Sequence, residues 1–233
     1  MADSEQKVAL LAGASGLVGG HLLEALLAAP DFSRVYAVTR RPLGREHPRL
    51  ANRIVQFDKL ESQLAGMRCH TAFCCLGTTI RQVRGSQQAF REVDVDLVLA
   101  FARAAKAAQA QRFVFVSSAG ARAQSKYFYM RTKGEVEESL IKLGFPSLDI
   151  IQPSALIGWR REPRPVELAA MIFLPLVNPF LTGAREPFRA IAARTVAASM
   201  LGAARSGRRG VYRYTYSGIR ALARSRPQTL RAE

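Results

Sequence analysis

Short apolar runs alternate along the chain with longer segments of helical periodicity. The run Lys7–Ala12 is apolar and ends at a glycine, which predicts a buried strand. Residues 17–29 have the spacing of a helix that stops at Pro30, and residues 34–39 predict a second strand. A strand, a helix and a strand within about 30 residues form a βαβ unit, in which the two strands are parallel.

The same alternation continues through the middle of the chain. Further apolar runs predict four more strands, at residues 53–57, 71–75, 112–117 and 147–152. Helical periodicity predicts two long helices, at residues 86–110, with Ser86 suited to cap the first turn, and at residues 129–143. The pattern predicts the α/β fold class, as a Rossmann-type doubly wound parallel sheet with helices on both faces and a small C-terminal lobe.

The sequence changes in character after Pro153. Prolines recur there and the apolar residues fall on short helical pieces, so we predict a small substrate-side lobe at residues 159–224 beside a core at residues 7–158. Within this lobe the pattern predicts a helix, a strand and a short helix, at residues 189–204, 211–216 and 218–223. Core and lobe form a single domain, residues 1–224, and the polar, basic tail 225–233 is predicted to be disordered.

The composition is typical of a globular protein with a large positive net charge. The chain has 233 residues, 48% of them hydrophobic, which suits one domain with a sizeable core. The formal net charge is +16, an excess that is compatible with a polyanion-binding face. The arginines are spread along the chain without a recognition motif, however, so a solvated basic surface is the favoured interpretation and nucleic acid is not expected as a partner.

Cysteines and apolar stretches indicate an intracellular protein without a metal centre. Cys69, Cys74 and Cys75 are an odd number without a C-x-x-C pair, so we expect reduced thiols on or beside a buried strand and neither a disulfide framework nor a metal site. The amino terminus lacks the pattern of a signal peptide. The longest apolar stretch, residues 168–182, is interrupted by prolines and too short to span a membrane. A cytoplasmic location and no membrane partner are therefore expected.

A glycine-rich turn follows the first predicted strand and opens the first predicted helix. Gly13 permits the tight turn, Gly16 allows the backbone to approach a pyrophosphate, and Gly19 allows the helix to pack close to the sheet. Amides at the helix N-terminus, with its partial positive charge, would hold the phosphates. The predicted dinucleotide-binding turn consists of Gly13, Ala14, Ser15, Gly16, Leu17, Val18 and Gly19.

The end of the second predicted strand discriminates between NAD and NADP. An acidic residue there would bind the ribose 2′-hydroxyl and repel a 2′-phosphate, but this chain has Thr39, Arg40 and Arg41. Two guanidinium groups can pair with a phosphate in bidentate fashion. The expected cofactor is therefore NADP(H). The alternative is that both arginines are solvated loop residues.

A Y-x-x-x-K string lies on the second long helix. Tyr129 and Lys133 are four residues apart, so the phenol and the ammonium share one helix face. A nearby cation favours phenolate over phenol, which suits Tyr129 to proton donation to a carbonyl oxygen during hydride delivery, and Lys133 would also reach the nicotinamide ribose. Ser117 and Ser118 end the preceding strand, at the edge where doubly wound folds bind ligands, and a serine hydroxyl there could bind the same carbonyl.

These features together resemble the short-chain dehydrogenase/reductase superfamily over residues 7–158. Within it, the chain resembles the atypical branch of HIV Tat-interacting, metastasis-suppressor-like proteins and their bacterial relatives. The segments that carry the narrower match are 74–79 (CCLGTT), 93–94 (VD), 116–121 (VSSAGA), 128–136 (FYMRTKGEV) and 153–158 (PSALIG). The branch is similar to extended reductases with a short C-terminal lobe.

The resemblance implies roles for further residues. Asp58 would approach the adenine, and Ser118 matches the usual catalytic serine, with Ser117 kept as the alternative because the spacing to Tyr129 is shorter than in many relatives. The residues that would line the cofactor after the fourth strand are Leu76, Gly77 and Thr78. Those that would flank the nicotinamide after the sixth strand are Pro153, Ser154, Ala155 and Leu156.

Two functions are open on these grounds. The first is an NADPH-dependent reductase of a small-molecule carbonyl substrate, with the apolar residues at 171–176 and 180 forming a pocket or a packed lid. The second is an NADPH-binding, redox-responsive regulatory or protein-interaction module with little turnover. The intact pair of Tyr129 and Lys133 favours the first, and the basic surface mildly favours the second. The resemblance also makes a homodimer through the two long helices a candidate assembly.

Overall fold

Seven parallel strands form the central sheet of the computed structural model, which describes residues 6–158 and 178–225. The strands of this sheet and of a separate two-stranded ribbon are β1 (Lys7–Ala12), β2 (Phe32–Thr39), β3 (Leu50–Ile54), β4 (Thr71–Cys74), β5 (Arg112–Val116), β6 (Ser147–Ile151), β7 (Leu156–Ile157), β8 (Ile191–Ala192) and β9 (Gly210–Tyr214). The sheet has the order β3-β2-β1-β4-β5-β6-β9, and β7 pairs with β8. The order reverses between β1 and β4, at the switch point where doubly wound sheets bind ligands.

Helices cover both faces of the sheet. They are α1 (Leu17–Ala28), α2 (Leu60–Gln63), α3 (Gln87–Arg91), α4 (Leu97–Ala107), α5 (Phe128–Lys142), α6 (Ala193–Arg205) and α7 (Tyr216–Arg224). A π-helical segment, Glu92–Asp96, joins α3 to α4. Short 3-10 turns occur at Phe57–Lys59, Asn178–Phe180 and Gly183–Phe188.

The hydrophobic core has two layers because successive strand residues point to opposite faces of the sheet. Leu11 and Phe73 pack with α1 and α6 on one face. Leu10 and Phe113 pack with α4 and α5 on the other. Since both faces are covered, the central strands are continuous apolar runs rather than alternating ones.

The predicted Rossmann-type sheet is confirmed, and most of its elements lie close to their predicted bounds. Ser86 caps α3 as expected, because its Oγ accepts a hydrogen bond from the amide of Ala89 at 3.1 Å. The long helix predicted at residues 86–110 is not continuous, however, since the π-helical segment interrupts it and α4 ends at Ala107.

The third strand lies about three residues earlier in the chain than predicted. The predicted range is 53–57, whereas β3 spans Leu50–Ile54. β3 is an edge strand with half-buried or exposed side chains, so hydrophobicity marks it poorly. Polar contacts hold it instead, since the side chain of Asn52 donates to the Ala37 carbonyl at 3.0 Å and accepts from the Leu43 amide at 2.9 Å.

The elements of the predicted C-terminal lobe pack onto the central sheet. β9 and α7 confirm the strand and the short helix predicted there, β9 pairs with β6, and α6 packs against α1. The helix predicted at 189–204 begins only at Ala193, because residues 191–192 form β8. The predicted apolar lid lies outside the described residues over 171–177, as does the predicted tail over 226–233.

Two further findings concern the burial of the cysteines and the length of the helices. Cys69 and Cys74 are buried free thiols, as predicted, and burial raises the pKa of both to about 12. In the part of the chain that the structure describes, no helix combines the length and the apolar character that crossing a membrane requires.

Candidate functional site

The glycine turn between β1 and α1 is packed so closely that two of its positions exclude a side chain. Gly13 has a φ of +85°, and a Cβ there would lie 2.5 Å from the carbonyl oxygen of Cys75. A Cβ on Gly19 would lie 2.0 Å from the carbonyl oxygen of Gly13. The start of α1 can therefore approach the strand edge only because these residues are glycine.

The beginning of α1 fits a bound pyrophosphate. Gly16 occupies the N-cap position, and no side chain caps the helix. The first turn of α1 contains no acidic residue. Its amides and the positive end of its dipole are thus left without a competing carboxylate or hydroxyl, which is the arrangement that binds phosphate groups.

The residues at the end of β2 differ in burial. Thr39 is buried, and its hydroxyl accepts a hydrogen bond from the Asn52 side chain at 2.7 Å. Arg40 and Arg41 follow it and are exposed, and neither forms an ion pair within the described residues. Because β2 is the parallel neighbour of β1, both arginines lie at the same sheet edge as the glycine turn.

The turn after β4 connects the glycine turn with the Y-x-x-x-K helix. The amide of Cys75 donates to the carbonyl of Ala12 at 2.9 Å, so the chain leaves β4 beside the end of β1. A Cβ on Gly77 would lie 3.5 Å from Nζ of Lys133. Residues 76–78 therefore lie between the glycine turn and Lys133, and their role in lining a cofactor stays a prediction.

Tyr129 and Lys133 have different environments on α5. Tyr129 is half-buried, and its ring packs against that of Phe90 with the centroids 5.5 Å apart. Lys133 is only 4% exposed, and its Nζ lies 2.6 Å from Oδ1 of Asp94. The same Nζ lies 5.7 Å from the centroid of the Phe115 ring. A buried acid, Asp94, therefore contacts the lysine of the predicted pair.

Asp94 lies in the segment 93–94 that carries the family resemblance, but sequence reasoning gave this acid no role at the site. It is fully buried on the π-helical segment, and its Oδ2 accepts a hydrogen bond from the amide of Thr78 at 2.7 Å. The signal that could have found it is an acid between Val93 and Val95 on the apolar side of a predicted helix, where an unpaired carboxylate would be costly. Asp94 thus joins the turn after β4 to α5.

Two opposing effects set the charge of Lys133. Burial alone would lower the pKa of this amine, but the carboxylate of Asp94 and, to a smaller extent, Tyr129 outweigh burial and raise the pKa of Lys133 above its ordinary value. Lys133 is therefore an ammonium ion throughout the physiological range, with the charge of Asp94 beside it.

The two candidate serines at the end of β5 differ in what their hydroxyls can do. Ser117 is buried, and its hydroxyl donates to Oε1 of Glu137, which also accepts from the side chain of Gln152 at 2.8 Å. Arg213 donates to the other oxygen of Glu137 at 2.9 Å. Ser118 is half-buried, and within the described residues no hydrogen bond engages its hydroxyl. Of the two, Ser118 has the hydroxyl available to a ligand.

The segment after β6 borders the serine loop. The amide of Ala119 donates to the carbonyl of Pro153 at 2.9 Å. The hydroxyl of Ser154 donates to the carbonyl of Phe188 at 3.0 Å, and Leu156 begins β7. Of the residues predicted to flank the nicotinamide, Pro153 therefore contacts the loop that carries Ser118.

Asp58 lies apart from these groups. It is exposed on the turn Phe57–Lys59, after the strand that forms the outer edge of the sheet. Within the described residues it forms no ion pair. Its predicted contact with an adenine stays a prediction.

Known sequences resemble this chain over much of its length. The chain matches a family described as NAD(P)H-binding over residues 13–155. It is 36% identical over 188 residues to the protein HTATIP2 of Rattus norvegicus, a match that covers 78% of this chain and 77% of that protein. It is 38% identical over 164 residues to the protein FMP52, mitochondrial, of Lodderomyces elongisporus, which covers 66% and 68%.

Solved structures share the fold at low sequence identity. A short-chain dehydrogenase from Burkholderia cenocepacia in complex with NADP has a TM-score of 0.63 and 18% identity, over 92% of this chain and 90% of that one. A UDP-N-acetylglucosamine 4-epimerase from Methanobrevibacter ruminantium has a TM-score of 0.66 and 16% identity, over 90% and 76%. At such identities the likeness concerns the fold alone.

Proposed function

We propose an NADPH-dependent carbonyl reductase activity for this chain, which belongs to the NAD(P)H-binding family and to the atypical short-chain dehydrogenase/reductase branch of HTATIP2 and FMP52. The observation that carries the proposal is the approach of the turn after β4 to Lys133, where a Cβ on Gly77 would lie 3.5 Å from the ammonium. One ligand bound along this edge can thereby meet both the phosphate-binding turn and the Y-x-x-x-K helix, and this convergence of named groups supports a reaction.

The proposed mechanism divides the work between the cofactor and the chain. A bound nicotinamide would supply the hydride. Tyr129 donates its phenolic proton to the carbonyl oxygen as negative charge develops there. Ser118 donates a hydrogen bond to the same oxygen and orients it. Lys133 would hold the ribose hydroxyls of the cofactor with the ammonium hydrogens that Asp94 does not accept.

The preference for NADPH rests on Arg40 and Arg41. Both are exposed after β2, and the strand ends in Thr39 rather than in an acid. A 2′-phosphate there would meet two guanidinium groups and no carboxylate at the strand end. The same arrangement offers a 2′-hydroxyl no carboxylate to accept its hydrogen bond, which supports the weaker binding of NADH.

Fluorescence titration of NADPH and NADH tests this preference. We expect Arg40→Ala/Arg41→Ala to raise the Kd for NADPH roughly 10- to 100-fold, as two charge-assisted contacts are lost, and to leave the Kd for NADH almost unchanged. Arg68→Ala/Arg209→Ala is the matched control, because these exposed arginines precede β4 and β9 at the opposite sheet edge. Equal affinity of the wild type for both nucleotides would contradict the preference, and binding of neither would overturn the function.

Turnover is tested by NADPH oxidation with a panel of aldehydes and ketones. We expect Ser118→Ala to lower kcat by about 100-fold, the cost of one donor to a developing oxyanion, and Ser117→Ala to lower it far less, because Ser117 is bound to Glu137. A larger effect of Ser117→Ala would reverse the assignment of the two serines. Tight NADPH binding without oxidation by any carbonyl would favour the regulatory module instead.

We propose a cytoplasmic location for this activity. The support is that Cys69 and Cys74 are free thiols, which suits a reducing compartment. The fungal relatives carry the word mitochondrial in their names. Fluorescence imaging of the tagged full chain against a mitochondrial marker separates the two compartments.

A further inference from the structure

A buried acid contacts the lysine of the Y-x-x-x-K string, although carbonyl reduction itself requires no carboxylate at that point. We propose that Asp94 is a positioning residue that fixes the Lys133 ammonium against the turn after β4 and keeps it charged where ribose and Tyr129 would meet it. This role deepens the proposed function and rests on it for the effect on turnover. The effect on Lys133 itself requires no substrate.

Two different elements hold the carboxylate of Asp94. Its Oδ1 lies 2.6 Å from Nζ of Lys133 on α5, and its Oδ2 accepts from the amide of Thr78 at 2.7 Å. The backbone hydrogen bond fixes one oxygen of the carboxylate, and the other faces the amine. A Cβ on Gly77 would lie 3.3 Å from Oδ1 and 3.5 Å from Nζ, so the backbone of the turn passes directly beside the pair. The position of the ammonium is therefore tied to the cofactor-lining turn.

The π-helical segment presents Asp94 to the site. A π-helical turn shifts the register of the side chains that follow it, and such turns occur frequently at functional sites. Asp94 is fully buried in this segment, whereas Asp96, two residues further on, is exposed and forms no ion pair within the described residues. The two acids have the same chemistry and different environments, which makes Asp96 a matched control.

Within the described residues, Asp94 is the carboxylate that forms an ion pair with Lys133, and the other groups near the ammonium are uncharged side chains. Tyr129 faces the ammonium from α5, Cys74 from β4 and the ring of Phe115 from β5. The Cys74 thiol stays uncharged because burial raises its pKa to about 12. An amine buried to this degree without an anion beside it loses its proton far more readily than in water. Asp94 is consequently the group that keeps Lys133 charged.

NMR titration of the lysines tests this role directly. The chain has only six lysines, Lys7, Lys59, Lys106, Lys126, Lys133 and Lys142, so their labelled ¹³Cε signals can be followed individually, with Lys133→Arg for assignment. We expect Asp94→Asn to lower the ionisation midpoint of Lys133 by roughly 2 pH units or more, and Asp96→Asn to leave it unchanged. Asp94→Asn should also weaken NADPH and NADH binding alike at alkaline pH, with recovery as the pH is lowered.

The outcomes separate the positioning role from the proposed function. An unchanged Lys133 midpoint in Asp94→Asn would overturn the role, and so would an equal shift in Asp96→Asn, since surface charge would then explain both. If Asp94→Asn does not fold, the wild type decides, because a Lys133 signal that titrates below about pH 9 would show that no carboxylate sustains its charge. Absence of turnover with every carbonyl would count against the proposed function alone, since the NMR measurement involves no substrate.

Discussion

Two buried ion pairs lie at opposite ends of the strands of the central sheet, which we call its amino edge and its carboxyl edge. At the amino edge, Arg112 at the start of β5 pairs with Asp149 on β6. At the carboxyl edge, Lys133 on α5 pairs with Asp94 on the π-helical segment. Both acids are fully buried. The same chemistry therefore occurs twice in one domain, and the surroundings of each pair indicate what it is for.

The amino-edge pair is closed by its own protein partners. Asp149 also accepts a hydrogen bond from the hydroxyl of Tyr214 at 3.0 Å, and Arg112 also donates to the carbonyl of Arg208. Burial, the largest influence, raises the pKa of Asp149 above its ordinary value even though Arg112 and Tyr214 act against it. The pair links β5, β6 and the approach to β9, and its polar atoms are committed to the fold.

The carboxyl-edge pair is open by comparison. Asp94 is held by Lys133 and by the amide of Thr78, but Lys133 has three ammonium hydrogens and, in the part of the chain described, one acceptor. Its remaining hydrogens lie beside a turn that fits a cofactor. The two pairs therefore differ in spare hydrogen-bonding capacity, and this difference supports the role that we propose for the pair of Lys133 and Asp94.

The largest expected effect is on kcat and comes from replacing the tyrosine near each ion pair, Tyr129 or Tyr214. Tyr129→Phe removes the proposed general acid, so we expect kcat to fall about 100- to 10,000-fold while the free energy of unfolding and the Kd for NADPH change little. Tyr214→Phe, the matched variant at the other end of the strands, should leave kcat unchanged and cost about 2 kcal/mol of stability, since it removes the hydrogen bond that this hydroxyl donates to Asp149 and the one that it accepts from Arg208. Steady-state kinetics and urea unfolding of both variants check this, and similar losses of kcat would show that the edges are not functionally distinct.

A smaller effect, on stability alone, is expected at Asp149. Asp149→Asn leaves the guanidinium of Arg112 buried without its anion, so we expect the free energy of unfolding to fall by about 3 kcal/mol with NADPH affinity unchanged. Urea unfolding gives the first quantity and fluorescence titration the second. Arg112→Met/Asp149→Leu should regain most of the loss, because it leaves no buried charge. A change in NADPH affinity with stability intact would contradict the assignment of this pair to the fold.

The contrast between the two edges also shows what the sequence can predict. The central strands were predictable because they are buried on both faces, and the glycine turn and the Y-x-x-x-K string because their spacing is local. Asp94 was quoted in the resemblance but received no role, because its partner is distant along the chain and no local pattern pairs it with Lys133. The choice between Ser117 and Ser118 was open for the same reason, since only the fold brings Glu137 to Ser117.

A third ion pair, partly exposed, extends the comparison to the smallest expected effect. Arg205 on α6 holds Asp31 in the loop before β2, with side-chain exposures of 17% and 31%. Burial acts to raise the pKa of Asp31, but the hydrogen bond and the charge of Arg205 outweigh it and hold the pKa below the ordinary value of 3.8. Because the folded pKa is depressed, the pair contributes stability above about pH 3.8, and this contribution is lost as the pH falls through the folded pKa.

Asp31→Asn should therefore lower the free energy of unfolding by only about 0.5 kcal/mol at neutral pH, as is typical of exposed pairs. The difference between variant and wild type should shrink as the pH falls below about 4 and also in about 1 M salt, which screens the pair. Urea unfolding at two pH values and two salt concentrations measures this, with Asp58→Asn as the unpaired, exposed control. A loss of stability as large as that of Asp149→Asn, and insensitive to salt, would contradict this expectation. It would show that the stability contributed by the three pairs depends on the number of their protein partners and not on solvent exposure.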